Sequence, residues 1–147
     1  MPNQVIIEIL DKEKCLENSL EIGLDKEWTM KSRHFDKRMK MQGLYVFHFS
    51  DPLRIIYVGK TRGSTMDFQT RLYRHATEAA SQSNPKVYLR LKKISKETGK
   101  QILVSLIATD QLRSFFNGTN LSDAAIIDIY EQLLIHFLRP EIQFNEH

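Results

Sequence analysis

The sequence is poor in cysteine, glycine and proline, and it contains no long hydrophobic run. Among its 147 residues are one cysteine, six glycines and four prolines. With Cys15 as the sole thiol, an internal disulfide and a zinc site built from several thiolates are excluded. No stretch approaches the roughly 18 apolar residues of a membrane-spanning helix, and the beginning of the sequence lacks the apolar core of a signal peptide. We therefore expect a cytoplasmic protein with no membrane partner.

Charge is distributed unevenly along the chain, although the net charge is only +3. Residues 1–30 contain 3 Lys and Arg against 7 Asp and Glu, and residues 101–147 contain 2 against 6. Residues 31–100 contain 16 against 5. A strongly basic middle between acidic ends is typical of a surface that binds a polyanion. A solvated lysine-rich exterior is the simpler interpretation, but the apolar pattern of the segment favours a surface that binds a polyanion.

Turn signals and hydrophobic periodicity predict an α+β fold with a small antiparallel three-stranded sheet flanked by helices. The predicted order is β-β-α-α-β-α after an N-terminal extension of a helix and a basic segment, residues 1–42. The predicted helices span residues 11–23, 66–80, 85–96 and 122–138, and the predicted strands span residues 43–49, 54–59 and 101–108. Residues 29–41 are open to a helix or an arm, and residues 110–120 are expected to form a loop or a short turn.

Two tyrosines lie on either side of the predicted hairpin turn. Alternation along the strands predicts that Tyr45, Phe47 and Phe49 share one face of the first strand. By the same rule, Ile55 and Tyr57 share one face of the second strand. The turn then places Tyr45 and Tyr57 roughly opposite each other, which by itself is most often simple packing.

Three further side chains are candidates for chemistry. Arg71 and His75 are four residues apart, so they lie on one face of a helix. Arginine offers a planar fork for a phosphate, and histidine can carry a proton near neutral pH. Glu131 stands in a helix that is apolar nearly all round, where a carboxylate is expected to pair with a cation or to hold a metal ion.

These motifs, in this order and at this spacing, resemble the GIY-YIG nuclease superfamily. The matching positions are Gly43-Leu44-Tyr45, Tyr57-Val58-Gly59, Lys60, the stretch 68–75 with Arg71 and His75, Glu131 and Asn145. Leu44 and Val58 stand where the name motif has isoleucine. The resemblance covers residues 43–147, which we interpret as a nuclease domain.

The resemblance implies a phosphodiesterase that requires Mg²⁺ or Mn²⁺ and acts on DNA, expected to be double-stranded. It assigns Glu131 to the metal and Arg71 to the scissile phosphate. Tyr57 or Tyr45 would be the general base, with Tyr57 favoured because it is nearer Lys60, a cation expected to lower the tyrosine pKa. His75 would position or deprotonate the water, or relay a proton.

The remaining positions would support the site or contact DNA. Gly43 and Gly59 would let backbone and substrate come close, and Asn145 would support the site. Candidates for contact with DNA phosphates are Lys37, Arg38, Lys40, Arg74, Arg90 and Lys93. A homodimer that cuts both strands and a monomer that nicks one are both compatible with the sequence.

A non-catalytic nucleic-acid-binding module on the same fold is the main alternative, because a fold does not determine a function. The presence of Glu131 in an apolar helix argues against it, since such a module has no use for that charge. A small zinc protein is a weaker alternative, because the spacings of His48, His75 and His136 match no zinc pattern.

Overall fold

The computed structural model describes residues 19–22, 24, 37–50, 52–61, 66–77, 85–113 and 120–142. Within them the α+β class is confirmed, and the sheet has four strands rather than the three predicted. The elements are β1 (Leu20–Ile22), a 3-10 helix (Lys37–Lys40), β2 (Gly43–Ser50), β3 (Leu53–Thr61), α1 (Phe68–Ala76), α2 (Lys86–Thr98), β4 (Ile102–Ala108), α3 (Thr109–Arg113) and α4 (Asp123–Leu138).

The additional strand, β1, corrects the prediction of a helix over residues 11–23. The strand order is β1-β4-β2-β3, with all three pairs antiparallel, and Leu20 lies opposite Val104. Ile22 is buried in the core because it adds to the apolar face that β4 presents. A three-residue edge strand receives its hydrogen bonds from a partner about 80 residues away, so its own sequence carries little signal. Residues 11–18 of the predicted helix lie outside the described residues.

The predicted hairpin of β2 and β3 is confirmed, with one irregularity. Gly43 lies opposite Thr61 and Phe47 opposite Tyr57, but His48 lies opposite Ile55. β3 therefore contains one extra residue, a β-bulge, at Ile56. The bulge reverses the alternation, and the predicted shared face of Ile55 and Tyr57 is wrong: these two side chains belong to opposite faces of the sheet.

Each face of the sheet is covered by its own pair of helices. One face carries Tyr45, Phe47 and Ile56 and packs against α1 and α2, whereas the other carries Leu44 and Val46 and packs against α3 and α4. Hydrophobic periodicity predicts an apolar stripe in each of the two middle helices; Phe68, Leu72 and Ala76 in α1 and Val87, Leu91 and Ile94 in α2 are buried as expected, and Ala79 lies outside the described residues. Met39 of the 3-10 helix joins the first core, so described parts of residues 1–42 pack into the same sheet. The division at residue 42 stays a prediction.

Helix α4 begins and ends close to where the sequence predicted. The hydroxyl of Ser122 accepts a hydrogen bond from the backbone N–H of Ala125, which caps the first turn. The helix is less buried than its composition indicated, because Ile129 is 39% exposed and Phe137 is 47% exposed. Beyond it, the backbone N–H groups of Glu141 and Ile142 donate to the carbonyls of Ile55 and Ile56, which ties the end of α4 to the outer edge of β3.

No helix in the described part of the chain is long and apolar enough to cross a membrane.

Candidate active site

The centre of the site is a hydrogen bond between β2 and α1. The hydroxyl oxygen of Tyr45 lies 2.8 Å from Nε2 of His75, and both side chains are buried. Tyr45 reaches His75 because its strand lies in the middle of the sheet and α1 packs directly on that face. The ring centroids of the two residues are 5.7 Å apart. The pair thus joins two motifs that are 30 residues apart in the sequence.

Gly59 makes room for this pair. It lies directly opposite Tyr45 on the neighbouring strand. A Cβ atom at Gly59 would lie 2.3 Å from both Cζ and the hydroxyl oxygen of Tyr45, closer than any real contact. Gly43 has a different reason to be glycine, because it has a φ of +154° and a Cβ there would lie 2.0 Å from the carbonyl oxygen of Ile107. The two glycines were predicted to let backbone and substrate come close; the groups they make room for in the structure are a side chain and a backbone carbonyl of the protein itself.

Tyr57 lies on the same face as Tyr45 but opposite Phe47, so the two tyrosines are offset along the strands instead of paired directly. Their ring centroids are 6.2 Å apart, and the Tyr57 ring lies 5.9 Å from that of His75. Tyr57 is partly exposed, whereas Tyr45 is only 1% exposed. Of the two tyrosines, Tyr57 is therefore the one that a substrate or a water molecule can reach.

Burial keeps the aromatic part of the site neutral. It raises the pKa of Tyr45 well above its usual value, and the neighbouring Tyr57 raises it further. Burial and the charge of Glu131 also raise the pKa of Tyr57, against the opposing effect of Arg71. Burial, followed by the positive charges of Arg71 and Arg74, lowers the pKa of His75 to about 3. At neutral pH both hydroxyls are protonated and His75 is uncharged.

Arg71 lies one helical turn before His75 and acts on all three aromatic groups. Its positive charge lowers the pKa of Tyr45, Tyr57 and His75 alike, which places the guanidinium near them. Within the described part of the chain, its Nε atom is buried and has no hydrogen-bond partner. A buried guanidinium N–H without an acceptor is costly, and an anion that reached it would supply the missing acceptor.

Lys60 is held by two carboxylates of α4. Its Nζ lies 3.0 Å from an oxygen of Asp128 and 3.1 Å from an oxygen of Glu131. Burial lowers the pKa of Lys60, but the hydrogen bonds to these carboxylates outweigh it and the pKa is raised. The expectation that Lys60 lowers the pKa of a tyrosine is therefore corrected. The cation that lowers the pKa of Tyr57 is Arg71, and the net shift of Tyr57 is upward.

Asp128 belongs to this site, although the sequence analysis did not single it out. It lies three residues before Glu131, so the two carboxylates project from the same side of α4. The spacing was a readable signal. The sequence analysis considered only Glu131 as a charge among the apolar residues of this helix, and in the structure Asp128 is the more exposed of the two carboxylates.

The two carboxylates fit the magnesium or manganese ion that the resemblance implies. Mg²⁺ in proteins usually keeps several waters and takes one or two carboxylates. No cluster of three or more His, Cys, Asp and Glu side chains that could hold a metal is present among the described residues. Asp128 and Glu131, however, already share one cation, the ammonium of Lys60. Such an oxygen donor set suits a hard divalent ion.

The remaining predicted residues are spread around the site. Arg74 on α1 and Arg90 and Lys93 on α2 are exposed, on the side of the sheet that carries the tyrosines. Lys40 is exposed, whereas Arg38 is partly buried and its Nη1 donates to the carbonyl of Leu106 at 3.4 Å. Lys37 begins the 3-10 helix. Asn145 lies outside the described residues.

Comparisons of this chain with protein-family models, with curated proteins and with solved structures give no match. An assignment of function therefore depends on the residues and on their geometry.

Proposed function

We propose that this chain is a divalent-metal-dependent DNA endonuclease that hydrolyses phosphodiester bonds, with a site of the GIY-YIG kind. The observation that carries the proposal is that β2, β3 and α1 bring two tyrosines, a histidine and an arginine together on one face of the sheet, within electrostatic range of Glu131 on α4, the helix of the other face. Arg71 and Glu131 both act on the pKa of Tyr45 and of Tyr57, so a cation, an anion and two proton-bearing groups lie within electrostatic range of one another. Phosphodiester hydrolysis needs these components: a phosphate clamp, a proton acceptor and a metal ligand.

In this proposal Arg71 holds the scissile phosphate. Its buried Nε has no acceptor within the described residues, and a phosphate oxygen would supply one. The same guanidinium would stabilise the negative charge that develops on the phosphate during attack by water. Arg74, Arg90 and Lys93 would contact the DNA backbone nearby without reading its sequence.

Tyr57 is the proton acceptor in this proposal because it is the more exposed of the two tyrosines. Its raised pKa opposes this role, because the neutral hydroxyl must release its own proton before it can accept one from water. Arg71 already lowers the pKa, and the second cause that raises it is the negative charge of Glu131. A divalent ion bound to Glu131 would polarise the attacking water and supply positive charge. The buried Tyr45 and His75 would hold the ring of Tyr57 in place.

The non-catalytic nucleic-acid-binding module remains the second candidate, and one observation favours it. The pKa of both tyrosines is raised, and neither is an active base in the metal-free protein. A basic surface beside a partly exposed aromatic side chain would also suit binding without cleavage.

Cleavage of supercoiled plasmid decides between the two. We expect the protein to convert the plasmid with Mg²⁺ and to stop when EDTA removes the metal. Glu131→Gln should abolish cleavage while DNA binding persists in a mobility-shift experiment. Glu97→Gln, the same change at an exposed position of α2, is the matched control and should cut normally. A mobility shift without cleavage under all these conditions would establish the binding module instead.

A further inference from the structure

The ion pair of Lys60 involves three charged groups. Its single ammonium bridges two carboxylates, so the contacting oxygens of Asp128 and Glu131 are at most 6.1 Å apart, the sum of the two distances. The side chain of Glu131 is only 12% exposed, compared with 43% for Asp128. Two negative charges this close, one of them largely shielded from water, need a cation between them.

The three side chains come from two elements whose relative position is constrained. Lys60 is near the end of β3, and the two carboxylates lie three residues apart on α4. Ser122 caps the start of α4, and the hydrogen bonds of Glu141 and Ile142 to β3 tie its end to the same strand. The cation position is therefore built into the fold before any metal binds.

A divalent ion and the Lys60 ammonium cannot both occupy this position. Mg²⁺ binds carboxylate oxygens at about 2.0–2.1 Å and demands a nearly octahedral shell. An ammonium left at its present distance from both oxygens would stand almost against the ion, where positive charges repel strongly. An ion bound to the same two oxygens that now contact Lys60 would therefore move its ammonium away from Glu131.

We propose that Asp128 and Glu131 together form one divalent-cation site, and that Lys60 is an internal cation that fills it until the metal arrives. The identity of the ion as Mg²⁺ or Mn²⁺ rests on the proposed function. Lys60 thus keeps the two carboxylates close together without metal, and its displacement weakens metal binding. The site is expected to bind metal more weakly than its two carboxylates would allow, because every binding event must break the ion pair.

Metal affinity without DNA tests this proposal. Free Mn²⁺ is measured by its electron paramagnetic resonance signal during titration of the purified full chain. Lys60→Met should tighten Mn²⁺ binding by about tenfold or more, because the competing charge is gone. Asp128→Asn should weaken it several-fold, and Glu131→Gln should weaken it further. Unchanged or weaker binding by Lys60→Met, or unchanged binding by Asp128→Asn, would overturn the proposal.

Arg54→Met is the matched control. It also removes a cation on β3 that pairs with a carboxylate, that of Glu141, but it frees one exposed carboxylate instead of two adjacent ones. Its Mn²⁺ affinity should equal that of the wild type. An equal gain in Arg54→Met and Lys60→Met would show a general charge effect and contradict a built site.

A second measurement uses the unaltered protein, in case Lys60→Met does not fold. Amine groups are methylated with labelled formaldehyde and a reductant, and the peptide containing Lys60 is quantified by mass spectrometry. Saturating Mg²⁺ should speed the labelling of Lys60 several-fold, while the exposed Lys93 should be unaffected. Equal labelling of Lys60 with and without Mg²⁺ would refute its displacement.

The two proposals fail in different ways. Mn²⁺ binding with the expected dependence on Lys60 and Asp128, but no plasmid cleavage, would support the cation site and contradict the nuclease. Metal-dependent cleavage without tighter Mn²⁺ binding by Lys60→Met would support the nuclease and contradict the proposed role of Lys60.

Discussion

The two faces of the sheet each contain a buried histidine hydrogen-bonded to a hydroxyl group, and the surroundings of the two pairs differ. On the face covered by α1 and α2, Tyr45 contacts His75 at 2.8 Å. On the face covered by α3 and α4, His48 contacts the hydroxyl of Ser105 at 3.0 Å. Burial is the first cause that lowers the pKa of both histidines.

The charges around the two pairs distinguish them. Arg71 and Arg74 lower the pKa of His75 beyond the effect of burial, whereas His48 has only burial opposed by a backbone hydrogen bond at Phe49. His75 also keeps 8% of its surface exposed, whereas His48 is fully covered. A buried histidine–hydroxyl pair is thus by itself only a means of satisfying polar groups. Neighbouring charge and access to solvent make one of the two a candidate site.

The largest expected effect comes from removing the positive charge of Arg71, which lies beside the pair of Tyr45 and His75. Arg71→Ala should lower DNA cleavage by about 10²–10³-fold or more, because the phosphate would lose its clamp. Initial rates of plasmid cleavage under saturating Mg²⁺ measure this. Arg54→Ala removes an exposed arginine that pairs with Glu141 and should leave the rate unchanged. A similarly small change for Arg71→Ala would contradict phosphate binding by Arg71.

Removing one hydroxyl from each pair compares the faces directly. Tyr45→Phe and Ser105→Ala should each lower the free energy of unfolding by about 1–3 kcal/mol, since each leaves a buried histidine nitrogen without its hydroxyl partner. Only Tyr45→Phe should also slow cleavage, by about tenfold or more, because Tyr45 supports Tyr57. Chemical denaturation and plasmid cleavage measure the two quantities. Equal cleavage by both variants would remove the functional distinction between the faces.

A methyl group at Gly59 should disturb the first pair without removing any of its atoms. Gly59→Ala places a Cβ against the ring of Tyr45, which must shift away from His75. We expect a loss of about 1–3 kcal/mol in stability and slower cleavage. In the Tyr45→Phe background the same change should slow cleavage less, because the hydrogen bond is already gone. Fully additive effects on cleavage would show that Gly59 does not act through Tyr45.

The last expected effect is confined to stability, at mildly acidic pH. His75 has a pKa of about 3 in the folded chain, against about 6.5 when unfolded. Between these values the unfolded chain binds the proton more readily, so stability present above pH 6.5 is lost as the pH falls. His75 should account for about 2 kcal/mol between pH 7 and pH 5.

Denaturant titrations at the two pH values test this effect. His75→Gln should show a weaker pH dependence than the wild type, and His48→Gln should change in the same direction. If the free energy of unfolding of His75→Gln changed with pH as steeply as that of the wild type, His75 would not be kept neutral by the fold.

Local signals in the sequence predicted much of the fold. The hairpin, the start of α4 at Ser122 and the buried stripes of α1 and α2 depend on neighbouring residues, and all of these are confirmed. Strand β1 was missed because its pairing with β4 is distant in sequence. The bulge at Ile56 was missed because strict alternation assumes a regular ladder.

The members of the candidate site were easier to predict than their partners. Tyr45, His75 and Arg71 were selected from their residue types and spacing, and the structure brings them together. Which groups contact one another depends on side-chain directions, and one sequence contains no direct signal for these. The partners of Lys60 were missed for this reason, because its contacts with Asp128 and Glu131 join residues about 70 positions apart.

The bulge in β3 means that the number of residues between Tyr45 and Tyr57 is one greater than an uninterrupted ladder would require. Ile56 is the extra residue. It precedes Tyr57, so the residues from Tyr57 to Thr61 keep a regular register with β2. A motif search that fixes this interval would reject chains that present the same side chains on the same faces. The quantity to compare between such proteins is side-chain direction, and the count of intervening residues is free to vary wherever a strand can bulge.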